Sequence, residues 1–340
     1  MKHAKFFSLF IFSIAMIYGL VGFYCLPYAS FQGDLTRIGM LPESLFGWAK
    51  SQPVINPAHM AQSSWHEADI FVVGDSFSEP RIWQTSLTSR GLKVHTENWN
   101  YVHGICEDFS AWLRAKGFKG RYVVIESIER DAWHHFGSSH RCRGMDWQSR
   151  TKLSSKKVLP PIANFHPDQN NYSGKVSVGI RTWINKIRYE RKTSNPDFKA
   201  YTQGSVRIAR VPEGCTLFSH QRCLDSLFIS LDKEQDLEDE LLDNLVNLSA
   251  GQGGLKIVWA IVPNKSTAYL HPDKYFWDKL ERRLRAVNLL KTVRLAIERK
   301  MVDIYPANNT HFSTSGYLLM GEAIYQIIQQ EQAFDMTSKL

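Results

Sequence analysis

The sequence predicts an α/β fold with a mostly parallel central sheet and helices on both of its faces. Three short apolar runs, at 69–73, 122–125 and 257–262, are typical of buried strands, and each ends in a polar turn. Helical patterns lie between them, and strands that alternate with helices favour a parallel sheet. The 340 residues, 44% hydrophobic and 22% charged, are enough for one large domain with insertions, or for one domain plus a small appendage.

The N-terminus differs from the rest of the chain. Lys2 and Lys5 precede an uncharged run whose apolar centre, 6–26, has the roughly 20 residues that a helix needs to span a bilayer. The sequence therefore predicts an uncleaved signal anchor over 1–34, with the N-terminus in the cytoplasm and the body of the chain outside it. A signal peptide cleaved near 27–30 is the alternative.

The remaining chain is predicted to form a spacer over 35–65 and one domain over 66–335. Residues at about 137–220 are polar, basic and rich in Ser, Asn and Pro, so they are expected to form an irregular insertion. A further strand is predicted at 92–95. Helices are predicted at 82–88, 109–116, 176–188, 237–248 and 271–287, with a last helix that is capped by Ser313 or Ser315 and runs to about Gln330.

Four cysteines outside the anchor indicate disulfide bonds in an oxidising compartment. Cys215 and Cys223 enclose a short loop, so they are expected to pair, which leaves Cys106 to pair with Cys142. Four buried free thiols are the alternative. The sequence has no Cys-x-x-Cys pair, so no metal site is predicted, and no cofactor is expected.

The formal net charge of +8 is concentrated in three basic clusters, at 141–143, 150–157 and 181–192. Outside the cytoplasm, nucleic acid is not expected as a partner. A membrane surface or an acidic glycan suits these clusters better, and a solvated basic face is the alternative.

Polar residues follow each of the three predicted strands, at 74–76, 126–130 and 263–265. In an open α/β sheet, ligands bind outside the carboxyl ends of the strands. A serine at a strand-to-helix turn, such as Ser76, has an exposed hydroxyl, and nearby backbone N–H groups point at a developing oxyanion. Such a serine needs a base, and His311 just before the last helix is the best of the 12 histidines.

Gly-Asp-Ser-Phe-Ser at 74–78, followed by the C-terminal His311, resembles the SGNH (GDSL-type) hydrolase superfamily. Three segments are also similar to the periplasmic alginate O-acetyltransferase family and its polysaccharide-acetylating relatives: 74–78, Ile-Glu-Ser-Ile-Glu-Arg at 125–130, and Val-Pro-Asn-Lys at 262–265 followed by Tyr269. Asn-Thr-His-Phe at 309–312 is similar to that family's Asp-Thr-His-Trp. The resemblance implies an SGNH-like three-layer fold.

Two features depart from the family. The His motif precedes the Ser motif in the alginate proteins, whereas Ser76 comes first here. Asn309, or Asn308 by the other superfamily spacing, stands where an aspartate is expected, and an amide stabilises imidazolium less well than a carboxylate. This leaves a working Ser76–His311–Asn309 site, a triad completed from elsewhere, for which Asp303 is nearby in sequence, or a weakened or inactive enzyme.

The resemblance also implies an oxyanion hole built from the Ser76 amide, a glycine and a side chain. Gly104 is the candidate glycine and Arg130 the candidate side chain, although Arg130 has an ion pair with Glu126 or Glu129 as its alternative role. Two further residues, Asn264 and Lys265, are expected to shape the cleft or only to form a turn, and Asp75 is expected to brace the serine turn.

The resemblance implies an O-acetyltransferase in which Ser76 attacks an acetyl donor and His311 takes its proton. The acetyl group then passes to a hydroxyl of a cell-surface or exported polysaccharide. A membrane-bound O-acyltransferase is the implied source of acetyl groups, and the implied location is a bacterial inner membrane, crossed once, with the main domain in the periplasm. The alternatives are a carbohydrate esterase or glycan deacetylase with the same acyl-enzyme, and a non-enzymatic glycan-binding or scaffold subunit of a polysaccharide modification complex.

Overall fold

The computed structural model describes residues 2–137, 139, 142–145, 171–172, 175–232 and 234–337. These residues divide into two compact units. One, here called the small unit, takes its described residues from 1–50, 166–231 and 306–310, and the other, the sheet unit, takes them from 51–165, 232–305 and 311–340. The sequence predicts a spacer over 35–65 and one domain over 66–335 with an insertion at about 137–220, and in the structure the chain contributes several segments to each unit.

The described residues form ten strands and fourteen α-helices, numbered here in chain order. The strands are β1 (Ser30–Phe31), β2 (Ile70–Gly74), β3 (Val94–Asn98), β4 (Tyr122–Ile128), β5 (Asn171–Tyr172), β6 (Ala200–Gln203), β7 (Val206–Arg210), β8 (Asp225–Ile229), β9 (Lys256–Val262) and β10 (Ala286–Val287). The helices are α1 (Lys2–Cys25), α2 (Asp34–Gly39), α3 (Glu43–Phe46), α4 (Thr85–Thr88), α5 (Trp99–Val102), α6 (Phe109–Ala115), α7 (Glu129–Phe136), α8 (Val176–Thr193), α9 (Gly214–Leu217), α10 (Asp239–Gly251), α11 (Lys265–Tyr269), α12 (Phe276–Arg283), α13 (Leu289–Glu298) and α14 (Thr314–Thr337). Short 3₁₀ helices cover Leu26–Ala29 and Pro57–Met60.

The sheet unit is built on five parallel strands in the order β10-β9-β4-β2-β3. The predicted α/β class with a mostly parallel sheet is thus confirmed. From β2 the chain moves outward to β3 and then returns to the other side of β2 to form β4. The strand order reverses between β2 and β4, and the loops that leave these two strands diverge there, which is where open α/β sheets bind ligands.

Both faces of the central sheet are buried. Alternate residues of the strands, including Phe71, Ile125 and Trp259, pack with α6, α10 and α12 in one core cluster. The residues between them, such as Val72 and Val258, are also fully buried, and α13 and α14 pack against β9. Strands that are covered on both faces have continuous apolar runs in the sequence, so β2, β4 and β9 could be predicted from the sequence.

The small unit has its own hydrophobic core. It contains the three-stranded antiparallel sheet β6-β7-β8 and packs side chains from α2, α3 and α8 onto that sheet. The residues in this core are Leu35, Leu41, Leu45, Phe46, Tyr189, Val206, Ile208 and Leu227. The interpretation of 35–65 as a spacer is corrected here, because its apolar side chains at 35, 41, 45 and 46 are core residues.

Other boundaries also differ from the sequence prediction. The predicted helix at 271–287 is instead α12 followed by the two-residue strand β10, and the last helix begins at Thr314 and extends to Thr337. The predicted insertion contains α8, β6 and β7 in its described part, so that part is ordered structure. Residues 146–170, with the basic cluster at 150–157, lie outside the described residues.

Helix α1 is long and apolar enough, by length and composition, to cross a membrane, with a mean hydropathy of 2.2 over the window at Lys5–Ala29. Its apolar side chains are largely exposed, Phe6 by 75% and Phe23 by 81%. This helix fits a membrane anchor or a signal sequence. Both expected disulfides are present, Cys106–Cys142 and Cys215–Cys223, and they fit an oxidising compartment.

Candidate active site

Ser76 lies in a tight turn directly after β2. The backbone N–H groups of Ser78 and Glu79 both donate to the carbonyl oxygen of Asp75 at 3.0 Å, which closes the turn. Ser76 is exposed, whereas Phe77 and Ser78 are buried and anchor the turn to the protein. The turn depends on Gly74, because a Cβ atom there would lie 2.3 Å from Ser78 Oγ.

The hydroxyl of Ser76 contacts His311, with 2.8 Å between Ser76 Oγ and His311 Nε2. His311 is half-buried just before α14, and its ring centroid lies 5.0 Å from that of Phe77. The next residue, Phe312, packs on Phe77 and Tyr305 with ring centroids 5.4 and 4.4 Å away. The structure thus brings the candidate nucleophile and base within hydrogen-bond reach at the carboxyl edge of the sheet.

Asp75 ties the serine turn to the end of β4. Its Oδ1 accepts a hydrogen bond from Phe77 N–H at 2.9 Å, and its Oδ2 accepts one from Ile128 N–H at 2.8 Å. Both carboxylate oxygens are therefore occupied in holding backbone. This arrangement suits a bracing role better than direct participation in the reaction.

Glu126 lies beneath the same turn and was missed as a site residue by the sequence analysis. It is fully buried, and its Oε2 accepts hydrogen bonds from Asp75 N–H at 3.0 Å and from the Ser78 hydroxyl at 2.7 Å. Trp83 Nε1–H donates to Ser78 Oγ at 3.1 Å. In the sequence, Glu126 is distinguished only as a single carboxylate inside the apolar strand β4.

The environment of Glu126 favours its neutral form. Burial raises the pKa of Glu126 well above its ordinary value, and the negative charge of Asp75 raises it further, although the hydrogen bond from Ser78 opposes the shift. Among the described residues, Oε1 of Glu126 has no hydrogen-bond partner. A buried carboxyl without a cation beside it is far less costly when protonated.

Arg130 joins the loops that follow β4, β8 and β9. Its Nη1 donates to Asn264 Oδ1 at 3.3 Å and reaches Asp232 Oδ1 at 3.5 Å, rather than the Glu126 or Glu129 partner considered from the sequence. Ser266 Oγ donates to Asp232 Oδ2 at 2.9 Å. Burial raises the pKa of Asp232, and the positive charge of Arg130 opposes that shift. No local motif identifies Asp232, because it lies 102 residues from Arg130.

Glu129 forms a buried ion pair with Lys274, and the two side chains are 4% and 3% exposed. Its Oε2 also accepts a hydrogen bond from the backbone N–H of Asn264 at 2.8 Å, which fixes the loop after β9 to the end of β4. Burial raises the pKa of the Glu129 carboxyl, and the Lys274 ammonium opposes that shift. Lys265 is buried at the start of α11, so Asn264 and Lys265 form the helix start in that loop.

Gly104 follows α5 and is buried, next to His103 in a left-handed conformation with φ 59°. A Cβ atom at Gly104 would find its nearest neighbour, Ser139 Oγ, at 3.8 Å, so packing alone does not require glycine there. Its predicted place in an oxyanion hole stays a prediction.

Asn308 and Asn309 belong to the small unit. The side-chain amide N–H of the buried Asn308 donates to Glu43, and the backbone carbonyl oxygen of Asn308 accepts a hydrogen bond from Leu35 N–H at 3.0 Å. Asn308 therefore has a structural role in joining 306–310 to α2 and α3. Asn309 is half-buried and donates its backbone N–H to Pro306 at 3.2 Å, and its predicted role beside His311 stays a prediction.

Thr310, the residue before His311 in the sequence, is held by Asp34. Its backbone N–H donates to Asp34 Oδ1 at 2.9 Å and its hydroxyl donates to Asp34 Oδ2. The sequence analysis missed both acids, Asp34 and Glu43, because they lie beside or within the predicted spacer. Asp303, the other acid considered, is fully buried with φ 56°.

The described residues contain no group of three or more His, Cys, Asp or Glu side chains placed to hold a metal ion. What they do provide is an exposed serine hydroxyl on a braced turn with an imidazole at 2.8 Å, two of the groups that serine acyl transfer uses. No protein-family model, curated protein or solved structure matches this chain.

Proposed function

We propose that this protein is a serine-dependent O-acetyltransferase of the SGNH type. The observation that carries the proposal is the 2.8 Å contact between the exposed Ser76 hydroxyl and His311 Nε2. It is supported by the position of Ser76 at the point where the strand order reverses, and by the resemblance of 74–78 and 309–312 to the family motifs.

The reaction has two half-reactions. Ser76 Oγ attacks the carbonyl carbon of an acetyl donor while His311 Nε2 takes the hydroxyl proton, and the bond to the leaving group breaks as His311 returns that proton to it. A sugar hydroxyl then attacks the acetyl-serine carbonyl and gives its proton to His311. The ester bond to Ser76 breaks, Ser76 recovers the proton, and the acetylated sugar leaves.

The proposed setting is the periplasmic face of a bacterial inner membrane. An uncleaved α1 would hold the protein at the membrane, and the two disulfides are consistent with an oxidising compartment. In this proposal a membrane-bound O-acyltransferase supplies the acetyl groups, and the acceptor is a cell-surface or exported polysaccharide.

A second candidate is an esterase or glycan deacetylase with the same acyl-enzyme. The exposure of Ser76 favours it, since water reaches an exposed acyl-serine more readily than an enclosed one. The choice of acceptor, water or sugar, separates the two reactions.

The test uses the purified full-length chain with p-nitrophenyl acetate as donor and a set of oligosaccharides as acceptors. Nitrophenol release together with acetylated oligosaccharide supports the transferase, whereas free acetate alone supports the esterase. Ser76→Ala should abolish both products, and Ser89→Ala, at another exposed serine of the sheet unit, should leave them unchanged. Equal activity of Ser76→Ala and the parent would overturn both enzymatic proposals.

A further inference from the structure

Helix α8 buries small or polar residues and leaves two isoleucines on its exposed side. Its buried residues are Gly179, Thr182, Asn185 and Tyr189. On the exposed side, Ile184 and Ile187 are 37% and 45% exposed. A helix that packs only against its own protein normally buries its isoleucines, so Ile184 and Ile187 are available to an apolar surface outside the chain.

The exposed face is basic as well as apolar. Ile180, Ile184 and Ile187 follow one another at spacings of four and three, which places them in one stripe along the helix. Arg181, Arg188 and Arg191 are exposed on the same side. Apolar residues beside long basic side chains are typical of helices that lie in a membrane interface.

The acidic content of α8 is a single residue, Glu190. Its carboxylate lies 3.6 Å from Lys186 Nζ and 3.4 Å from Arg222 Nη2, so its negative charge is compensated by neighbours. The exposed face therefore presents net positive charge, which complements a surface of phosphate groups.

The first turns of α8 pack on the end of α1. A Cβ atom at Gly179 would lie 2.2 Å from the carbonyl oxygen of Cys25, and one at Gly22 would lie 3.5 Å from Val176 Cγ2. The rings of Tyr24 and Trp183 meet edge to face with centroids 6.1 Å apart. Tyr and Trp concentrate where a membrane helix enters the headgroup region, so in a membrane crossed by α1 this contact would lie near the lipid headgroups.

We propose that the exposed face of α8 lies on the membrane that α1 crosses, with its isoleucines at the edge of the acyl chains and its arginines against anionic lipid phosphates. The inference rests on one part of the proposed function, the retention of α1 as a membrane anchor. It would make α8 a second, surface-bound contact that holds the small unit against the bilayer. The basic cluster at 181–192 would then serve to bind lipid.

The test places a nitroxide label at position 187 through Ile187→Cys in the full-length chain. The parent protein, treated with the same label, is the control for any reaction at the buried free Cys25. The protein is reconstituted in phosphatidylcholine vesicles with or without phosphatidylglycerol, and collisions of the label with oxygen and with a water-soluble nickel complex are measured. In phosphatidylglycerol vesicles the label should meet mainly oxygen. A reference label introduced by Arg282→Cys, at an exposed site of the sheet unit, should meet mainly nickel.

The matched variants test the role of charge. Arg181→Gln, Arg188→Gln and Arg191→Gln together should return the label at 187 to water, since each basic residue near an anionic surface contributes about fivefold to the bound population. The control triple, Arg282→Gln, Lys291→Gln and Arg299→Gln, removes as much exposed charge from the sheet unit and should leave the label where it was.

Three results would overturn the inference. The label at 187 could meet mainly nickel in both kinds of vesicle, or it could become protected only when an acidic oligosaccharide is added, which would assign this face to a glycan. Release of the parent protein from native membranes by alkaline carbonate would overturn the anchor and this inference together. None of these assays measures acyl transfer, so each result is independent of whether Ser76 is catalytic.

Discussion

The described residues of the sheet unit include two Ser–His pairs with nearly equal distances in very different surroundings. Ser76 Oγ lies 2.8 Å from His311 Nε2, and Ser127 Oγ lies 2.7 Å from His135 Nδ1. Ser76 is exposed on a turn, whereas Ser127 is fully buried inside β4. A hydrogen-bonded Ser–His pair is therefore no sufficient sign of catalysis, and access to the hydroxyl is what separates the two.

The buried pair is locked into the fold. The Ser127 hydroxyl is also within 3.1 Å of the Ile128 carbonyl oxygen, and the His135 ring stacks on Trp99 with centroids 4.6 Å apart. Burial lowers the pKa of His135, which favours the neutral ring. This pair is expected to hold α7 against the end of β4, whereas the exposed pair is the proposed catalytic pair.

The largest expected effect comes from removing the two serine hydroxyls separately. Ser76→Ala should lower the rate of nitrophenol release from p-nitrophenyl acetate by on the order of 10³-fold or more, because no acyl-enzyme can form. Ser127→Ala should keep the rate of nitrophenol release within a few fold of the parent's and should mainly lower the free energy of unfolding. A greater loss from Ser127→Ala than from Ser76→Ala, in protein of equal fold by circular dichroism, would reverse the assignment.

The two histidines should differ in the same way. His311→Ala removes the proposed base and should lower acyl transfer by roughly 10²- to 10⁴-fold. His135→Ala leaves a space beside Trp99 and should show chiefly as a lower midpoint of urea unfolding. Activity of His311→Ala close to that of the parent would show that another group serves as the base.

Glu126 allows a finer test of how the turn at Ser76 would support the proposed reaction. Glu126→Ala leaves Asp75 N–H and the Ser78 hydroxyl without their acceptor, and each unpaired buried group costs about 1–3 kcal/mol. Glu126→Gln keeps an acceptor oxygen in the shape of a neutral carboxyl, so it should stay within a few fold of parental activity. If the glutamine variant were as impaired as the alanine variant, the ionised carboxylate would be the active form.

The smallest effects are in pH dependence, and the two regions should show opposite signs. The raised pKa of Glu126 means that the folded protein holds its proton more tightly, so this contribution to the free energy of unfolding is lost as pH rises through the folded-state pKa. The lowered pKa of His135 means that the unfolded chain binds its proton more tightly, so stability is lost as pH falls below about 6.5.

Urea unfolding of single variants, measured as a function of pH, checks the direction of both pH effects. Glu126→Gln should flatten only the decline in stability that occurs as pH rises, and His135→Gln only the decline that occurs as pH falls. If Glu126→Gln left the decline with rising pH unchanged, the carboxyl of Glu126 would not be its source.

The sequence identified the elements whose signal is local. The runs β2, β4 and β9 are buried on both faces, and Ser76 and His311 stand in short motifs at predictable places. The bracing groups have no such signal, because their partners are distant in the chain: Thr310 and Asp34 are 276 residues apart, and Asn308 and Glu43 are 265 apart. The strand β10 has only two residues, and β6 alternates between exposed and half-buried positions, so neither gives a clear apolar pattern.

The most direct test of the central claim is to identify the residue that carries the acetyl group. The full-length protein is mixed with p-nitrophenyl acetate, quenched in acid during the first turnovers, digested, and analysed by mass spectrometry. The account predicts one acetyl group on Ser76, absent in Ser76→Ala and retained at the same position in Ser127→Ala. An acetyl group on Ser127 or on another residue would contradict the account. So would a burst of nitrophenol release with no acetylated residue.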